Sequence, residues 1–204
     1  MPYFVNASIN WLPERYLPVN TVAYCHELWQ RYGFTIKITR PRKTKLGDYR
    51  YRPNRKTHEI TINDNLNKYA FLLVYLHEVA HCATCIEFGS KVKPHGSQWQ
   101  HQMQKLITPL LDQGLLPPDV QLALVDYLKA PRATSCTSPA LTKVLRRYDP
   151  ETTLIPLEVL PLGGEFTFQS KKYQKIKLRR TRVVCKDIAS SRTWLIPKLA
   201  LVEP

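Results

Sequence analysis

The chain has 204 residues, 44% of them hydrophobic, and a formal net charge of +14 at neutral pH. Length and apolar share suit one main globular domain with a small second one beside it, and no apolar run approaches the eighteen or so residues of a membrane span. A basic excess of this size favours nucleic acid or another polyanion as partner over a merely solvated surface. The opening MPYFVNASINWLPERY lacks the basic and apolar segments of a secretory signal. A cytoplasmic setting is therefore expected, nucleoid-associated in a bacterium. There the five scattered cysteines would be reduced thiols, and the sequon at Asn6-Ala7-Ser8 would mean nothing.

Val19 to Gly33 predicts a first helix with Val22, Leu28 and Trp29 on its apolar face. Three short strands follow, Phe34–Arg40, Leu46–Tyr51 and Thr57–Asn63, separated by Pro41 and by Pro53-Asn54. Between Arg40 and Lys56 stand eight Lys or Arg and one acid, Asp48, with Tyr49 and Tyr51 interleaved. This hairpin is a candidate phosphate-binding surface through Arg42, Lys43, Lys45, Arg50 and Arg52.

Asn65 to Phe88 predicts the central helix. Leu66, Tyr69, Ala70, Leu73, Leu76, Ala80 and Thr84 recur at helical steps, and Phe71, Val74, Tyr75 and Val79 fill the other faces, so it is expected to be buried. Asn63, Asp64 or Asn65 can cap it and Gly89 can end it. Between Tyr69 and Thr84 the only carboxylate is Glu78, and a lone buried carboxylate is costly unless something compensates it. His77 and His81 lie one turn apart on one side and can bind one metal ion. The Glu between them would then take the proton from an attacking water. Cys82 and Cys85, inside the same helix, read as small buried residues rather than a redox or zinc pair. A third ligand must come from downstream. After Gly89 and Pro94 the chain reaches His95-Gly96-Ser97-Gln98-Trp99 and a second helix, Ser97–Leu111, whose apolar side is Trp99, Met103, Leu106, Ile107 and Leu110. His95 and His101 are both available; His58 reads as a sheet residue and His26 as a surface or core one.

HEVAH followed by FGSKVKPHGSQW resembles the SprT-like metalloprotease family, which includes bacterial SprT and eukaryotic Spartan, with its pattern HExxH, connector, HGxxW. The strand Lys56–Asn63 running into the helix fits as well, and the resemblance covers roughly Val19 to Leu116. It implies an α+β, zincin-type core: a small three-stranded sheet packed on the HExxH helix. It implies Zn²⁺ held by His77, His81 and His95 (in preference to His101), with Glu78 as catalytic base and Trp99 packed under the third ligand. In zincins an edge strand pairs with extended substrate, a role expected for the Thr57–Asn63 region or a neighbouring strand. The resemblance further implies protein substrates near or crosslinked to DNA, with single-stranded or partly single-stranded DNA gating access.

Asp119–Leu128 and Pro139–Tyr148 predict two shorter helices around a linker-like stretch from Ala130 to Pro139. From Leu154 the texture turns to β, predicting a sheet or barrel of four or five strands, OB- or SH3-like. The expected domains are a metalloprotease domain over residues 1–150 and a small basic β-barrel-like domain over 151–204. Many bacterial members of the family end in a cysteine-rich zinc ribbon, but here only Cys185 follows Cys136 and no His follows His101, so no such site can be built. Lys171 to Lys186 is the substitute: alternation puts Lys175, Lys177 and Arg179 together, facing phosphates, with Tyr173 free to stack on a base. The expected function is a DNA-associated zinc endopeptidase. Two alternatives stay open: a DNA-binding protein with a structural or weakly catalytic zinc site, and a zinc peptidase with no DNA role.

Overall fold

A computed structural model describes residues 13–42, 44–129 and 138–204. The chain divides between Asp149 and Pro150 into two compact units.

In the first unit, helix α1 (Val22–Tyr32) follows a 3₁₀ turn at Val19–Thr21 and ends at Gly33, whose φ of 59° lets its N–H bond back to Trp29. Strands β1 (Thr35–Thr39), β2 (Gly47–Arg52) and β3 (Thr57–Asn63) form a sheet in the order β1-β3-β2. β1 runs parallel to β3, with Ile36 opposite Ile60 and Ile38 opposite Ile62. β2 runs antiparallel to β3, with Tyr49 opposite Ile60 and Tyr51 opposite His58. β3 is thus the central strand and β2 an edge.

Helix α2 (Lys68–Phe88) starts later than its hydrophobic period suggests. Its cap is Asn67, whose side chain accepts from the N–H groups of Tyr69 and Ala70. Asn63 cannot serve, because its amide is spent. It is 1% exposed, its Nδ2 donates to Lys45 O at 3.0 Å, and its Oδ1 accepts from Arg42 Nε at 2.8 Å. α2 is long and apolar enough to cross a membrane, which no uninterrupted run betrayed, yet 72% of that apolar window is buried inside the structure. Its apolarity belongs to a core: Phe71, Tyr75 and Leu76 pack with Ile60 and Ile62 of the sheet. On another side lie Trp99, Met103, Ile107 and Leu110 of α3 (Ser97–Asp112). Helices α4 (Pro118–Leu128) and α5 (Pro139–Arg146) add Val120, Leu124, Tyr127 and Leu141 to the same core.

The second unit is β throughout. Strands β5 (Glu165–Phe168), β6 (Lys171–Leu178), β7 (Arg182–Asp187) and β8 (Thr193–Pro197) form an antiparallel meander. β4 (Ile155–Pro156) pairs with β9 (Leu201–Val202), and a bridge from Thr167 to Glu203 ties that ribbon to β5. β5 and β8 do not pair, so of the expected sheet or barrel the four-stranded meander is an open sheet. One face buries Phe166, Tyr173, Val183, Cys185 and Ile196 against Leu157, Leu160 and Val202.

Candidate metal centre

Successive turns of α2 carry His77 and His81 on the side facing the loop from Gly89 to Gly96, and that loop brings His95 to them. The three Nε2 atoms converge, with separations of 3.3 Å (His77–His81), 2.9 Å (His81–His95) and 3.2 Å (His95–His77). A tetrahedral zinc at about 2.0–2.1 Å from each nitrogen needs them about 3.3 Å apart, so the residues present fit the metal. Their protonation fits as well. Burial, with some repulsion from the other imidazoles, pushes His77 down to about 3 and His81 to about 4, and burial lowers His95. The rings are therefore neutral at physiological pH, the state in which an imidazole lends a lone pair.

Trp99, fully buried, floors the site. Its ring centroid lies 4.7 Å from that of His77, 5.5 Å from His81 and 4.8 Å from His95. Its Nε1 donates to His77 O at 3.4 Å. It underlies all three ligands, not the third alone. The Nδ1 of His77 is buried and has no hydrogen-bond partner among the described residues, so packing rather than a carboxylate fixes that ring. His95 adopts φ 59°, the left-handed region that a non-glycine residue enters at some cost, as residues at functional sites do. His101 is exposed and stands apart from the cluster.

Glu78 is 7% exposed and lines the same cleft of about 840 Å³ as the three imidazoles. Burial pushes its carboxyl up to about 8, and the charge of Asp48 adds to that; Arg42, the Tyr49 N–H bonded to it and Lys45 pull the other way. The wall that holds it is β2. A Cβ on Gly47 would lie 2.6 Å from Glu78 Oε1 and 2.6 Å from Val74 Cγ1, so only glycine admits the carboxylate there. Two residues on, the Tyr49 ring lies nearly parallel to that of His81, with centroids 6.2 Å apart, and its hydroxyl is 2.7 Å from His58 Nδ1. Sequence reasoning missed Gly47 and Tyr49 as parts of the site. The available signal was a glycine inside a strand pattern, which marks a close backbone approach.

The residues expected to meet phosphate fare unevenly. Arg42 is committed internally: Nε to Asn63 Oδ1 at 2.8 Å, Nη1 to Thr61 Oγ1 at 2.9 Å, and Nη2 toward the carbonyls of Leu46 and Thr61. It pins the turn before β2 rather than facing a ligand. Lys45 and Arg50 both pair with Asp48, at 2.9 and 3.2 Å, and Arg52 pairs with Glu59 at 3.4 Å. Lys43 lies outside the described residues. In the second unit Lys175 faces inward, not outward. It is 2% exposed, and its ammonium donates to the carbonyls of Leu157, Glu158 and Leu160 at 2.5–2.9 Å. A bulge at Ile176 breaks the alternation, so Lys177 does not share a face with Lys175. Arg179 is exposed in the β6–β7 turn. Tyr173 is buried and stacked on Phe166, with no face left for a base.

A helix and an adjoining loop converge three neutral imidazoles beside a buried carboxylate in an α+β unit, a cluster that could hold a metal ion. The SprT-like family model matches residues 21–117, a span that holds every residue of this site, so this part of the chain is similar to a family that is generally metal-dependent and of metallopeptidase type. The match does not reach the second unit. No curated protein and no solved structure matched the chain.

Proposed function

We propose that the first unit is a zincin-type, zinc-dependent endopeptidase, and that its protein substrates are bound or crosslinked to DNA. The observation that carries the peptidase reading is the Nε2 triangle of His77, His81 and His95, with the Glu78 carboxylate held in the same cleft. Zinc on these nitrogens would supply a Lewis acid that polarises a peptide carbonyl and acidifies a water. Glu78 then takes the proton of the attacking water on its carboxylate and passes it to the nitrogen of the departing amine. A bound cation beside Glu78 would favour the ionised carboxylate, the form that accepts the proton. Gly47 and the Tyr49 N–H keep the carboxylate in reach.

Substrate backbone has one suitable rail. β3 is flanked on both sides, whereas β2 has a free edge and contributes Gly47 to Tyr49 and Tyr51 to the cleft wall. Main-chain pairing along β2 would accept extended or unfolded peptide with little sequence preference. The net charge of +14 supports a polyanionic partner, and DNA is the one that the resemblance to SprT-like proteases implies.

The test is cleavage of a basic DNA-binding protein on a gel, at fixed zinc, with and without single-stranded DNA, beside Glu78→Gln. Cleavage only with DNA, lost in the variant, is the expected result. Cleavage indifferent to DNA would remove the DNA role. No cleavage at all, with zinc bound, would turn the reading toward a non-proteolytic binding protein.

A further inference from the structure

The second unit contains a surface that neither the metal site nor the family match accounts for. Pairing registers separate its two sheet faces. Cys185 stands opposite Lys175 and Trp194, while Val184 stands opposite Lys177 and Leu195, and Lys186 opposite Gln174 and Thr193. The first set belongs to the core side, where Cys185 and Lys175 are buried; the second points the other way. The bulge at Ile176 decides the outcome. Without it Lys177 would fall opposite Val183, on the core side; with it Lys177 joins the open face.

That face carries Lys172, Lys177, Arg182 and Lys186 around Val184 and Leu195. All four cations are exposed, and Leu195 keeps 46% of its surface exposed. Among the described residues no carboxylate forms an ion pair with any of the four, in contrast to Lys45, Arg50 and Arg52. The acids on this side, Glu165 and Glu203, sit at the far β5 edge, leaving β6, β7 and β8 without an acid there. A solvated sheet face needs polar side chains, but it does not need unpaired cations of one sign set around apolar ones; like charges so arranged repel one another and invite an anion.

We propose that this face of β6, β7 and β8 is a docking surface for single-stranded nucleic acid. The cations would meet the phosphates, and Val184 and Leu195 would lie against unstacked bases. Exposed apolar side chains set among cations suit splayed bases, whereas a duplex keeps its bases stacked inside and offers the face only phosphate. The proposal shares with the proposed function only its nucleic-acid partner, and it stands whether or not the cleft cuts peptides.

The test uses the full chain, so that failure here and failure of the peptidase reading are read separately. Binding of labelled single-stranded DNA and RNA oligonucleotides is followed by fluorescence anisotropy across a salt series. The triple variant Lys177→Ala, Arg182→Ala, Lys186→Ala is expected to bind at least about tenfold more weakly, with a salt slope shallower by about 2. Leu195→Ser is expected to weaken binding several-fold while keeping the wild-type slope. Because all four positions are exposed, thermal melting should not move. Wild-type affinity and slope in the triple variant would overturn the proposal. Tighter binding of duplex than of either single strand would also overturn it. So would capture by phosphatidylserine vesicles in preference to every oligonucleotide, lost in the triple variant, which would make the face a membrane-docking surface.

Discussion

The β2 hairpin of the first unit and the open sheet face of the second have similar compositions and opposite uses of charge. Both are rich in Lys and Arg, and both interleave them with apolar or aromatic residues. In the hairpin four cations turn inward or sideways while Arg40, Arg55 and Lys56 stay exposed: Arg42 binds β3 and its preceding turn, Lys45 and Arg50 share Asp48, and Arg52 takes Glu59. The hairpin thereby becomes a wall that holds Glu78 against the three histidines. On the open face of β6 to β8 the cations have no such partners. Composition announces a basic segment; only the placement of acids and a single bulge tells whether its charge builds the fold or is offered to a ligand.

That comparison can be broken at several points. Gly47→Ala should have the largest effect, because the added Cβ collides with Glu78 Oε1 and with Val74. Peptide turnover is expected to fall about 10²–10⁴-fold, as for loss of a general base, with zinc content and oligonucleotide affinity unchanged. A parallel loss of nucleic-acid binding would mean that the hairpin also contacts the polyanion.

Lys175→Met tests the other side. Three carbonyls lose their donor in a buried place, so thermal stability of the second unit should fall by about 1–3 kcal/mol. Oligonucleotide affinity measured well below the melting temperature should hold. Were Lys175 a phosphate contact, affinity would drop and stability would not.

The pH dependence of the zinc-free chain sharpens the picture of the site. Between about pH 4 and the usual histidine value of about 6.5, the unfolded chain binds more protons than the fold at His77 and His81. Stability is therefore lost as pH falls through that window. Glu78 acts with the opposite sign: its carboxyl holds a proton in the fold up to about 8, so its contribution is lost as pH rises from about 4.5 toward 8. Melting temperature of metal-free protein should peak near pH 6, and Glu78→Gln should flatten the alkaline limb alone. An alkaline limb that persists in the variant would place the responsible group elsewhere.

The smallest effect is expected from replacing Arg50 and Arg52 together with Ala. Their ion pairs are solvent-exposed and worth at most about 1 kcal/mol. Oligonucleotide affinity and salt slope should stay at wild-type values, whereas a hairpin that bound phosphate would lose both.

Much of the first unit was legible before any coordinates. The helical period of α2, the three strands and the paired HEVAH and HGSQW stretches are local patterns, and each survives with its ends moved by a few residues. What escaped depends on contacts distant in sequence. Asn67 rather than Asn63 caps α2 because Arg42 and Lys45 claim Asn63. Gly47 matters because Glu78, thirty-one residues later, packs against it. In the second unit strict alternation joined Lys177 to Lys175, but one extra residue at Ile176 moves Lys177 to the other face, and three carbonyls hold the buried ammonium of Lys175 on the core side with Tyr173.

The most direct measurement of the central claim is a zinc titration of metal-free full-length protein, run beside His95→Ala, His101→Ala and Glu78→Gln. One tightly bound zinc per chain is predicted for the wild type, His101→Ala and Glu78→Gln, with the tight site lost in His95→Ala. Wild-type affinity in His95→Ala would contradict the three-histidine site and with it the assignment of the cleft.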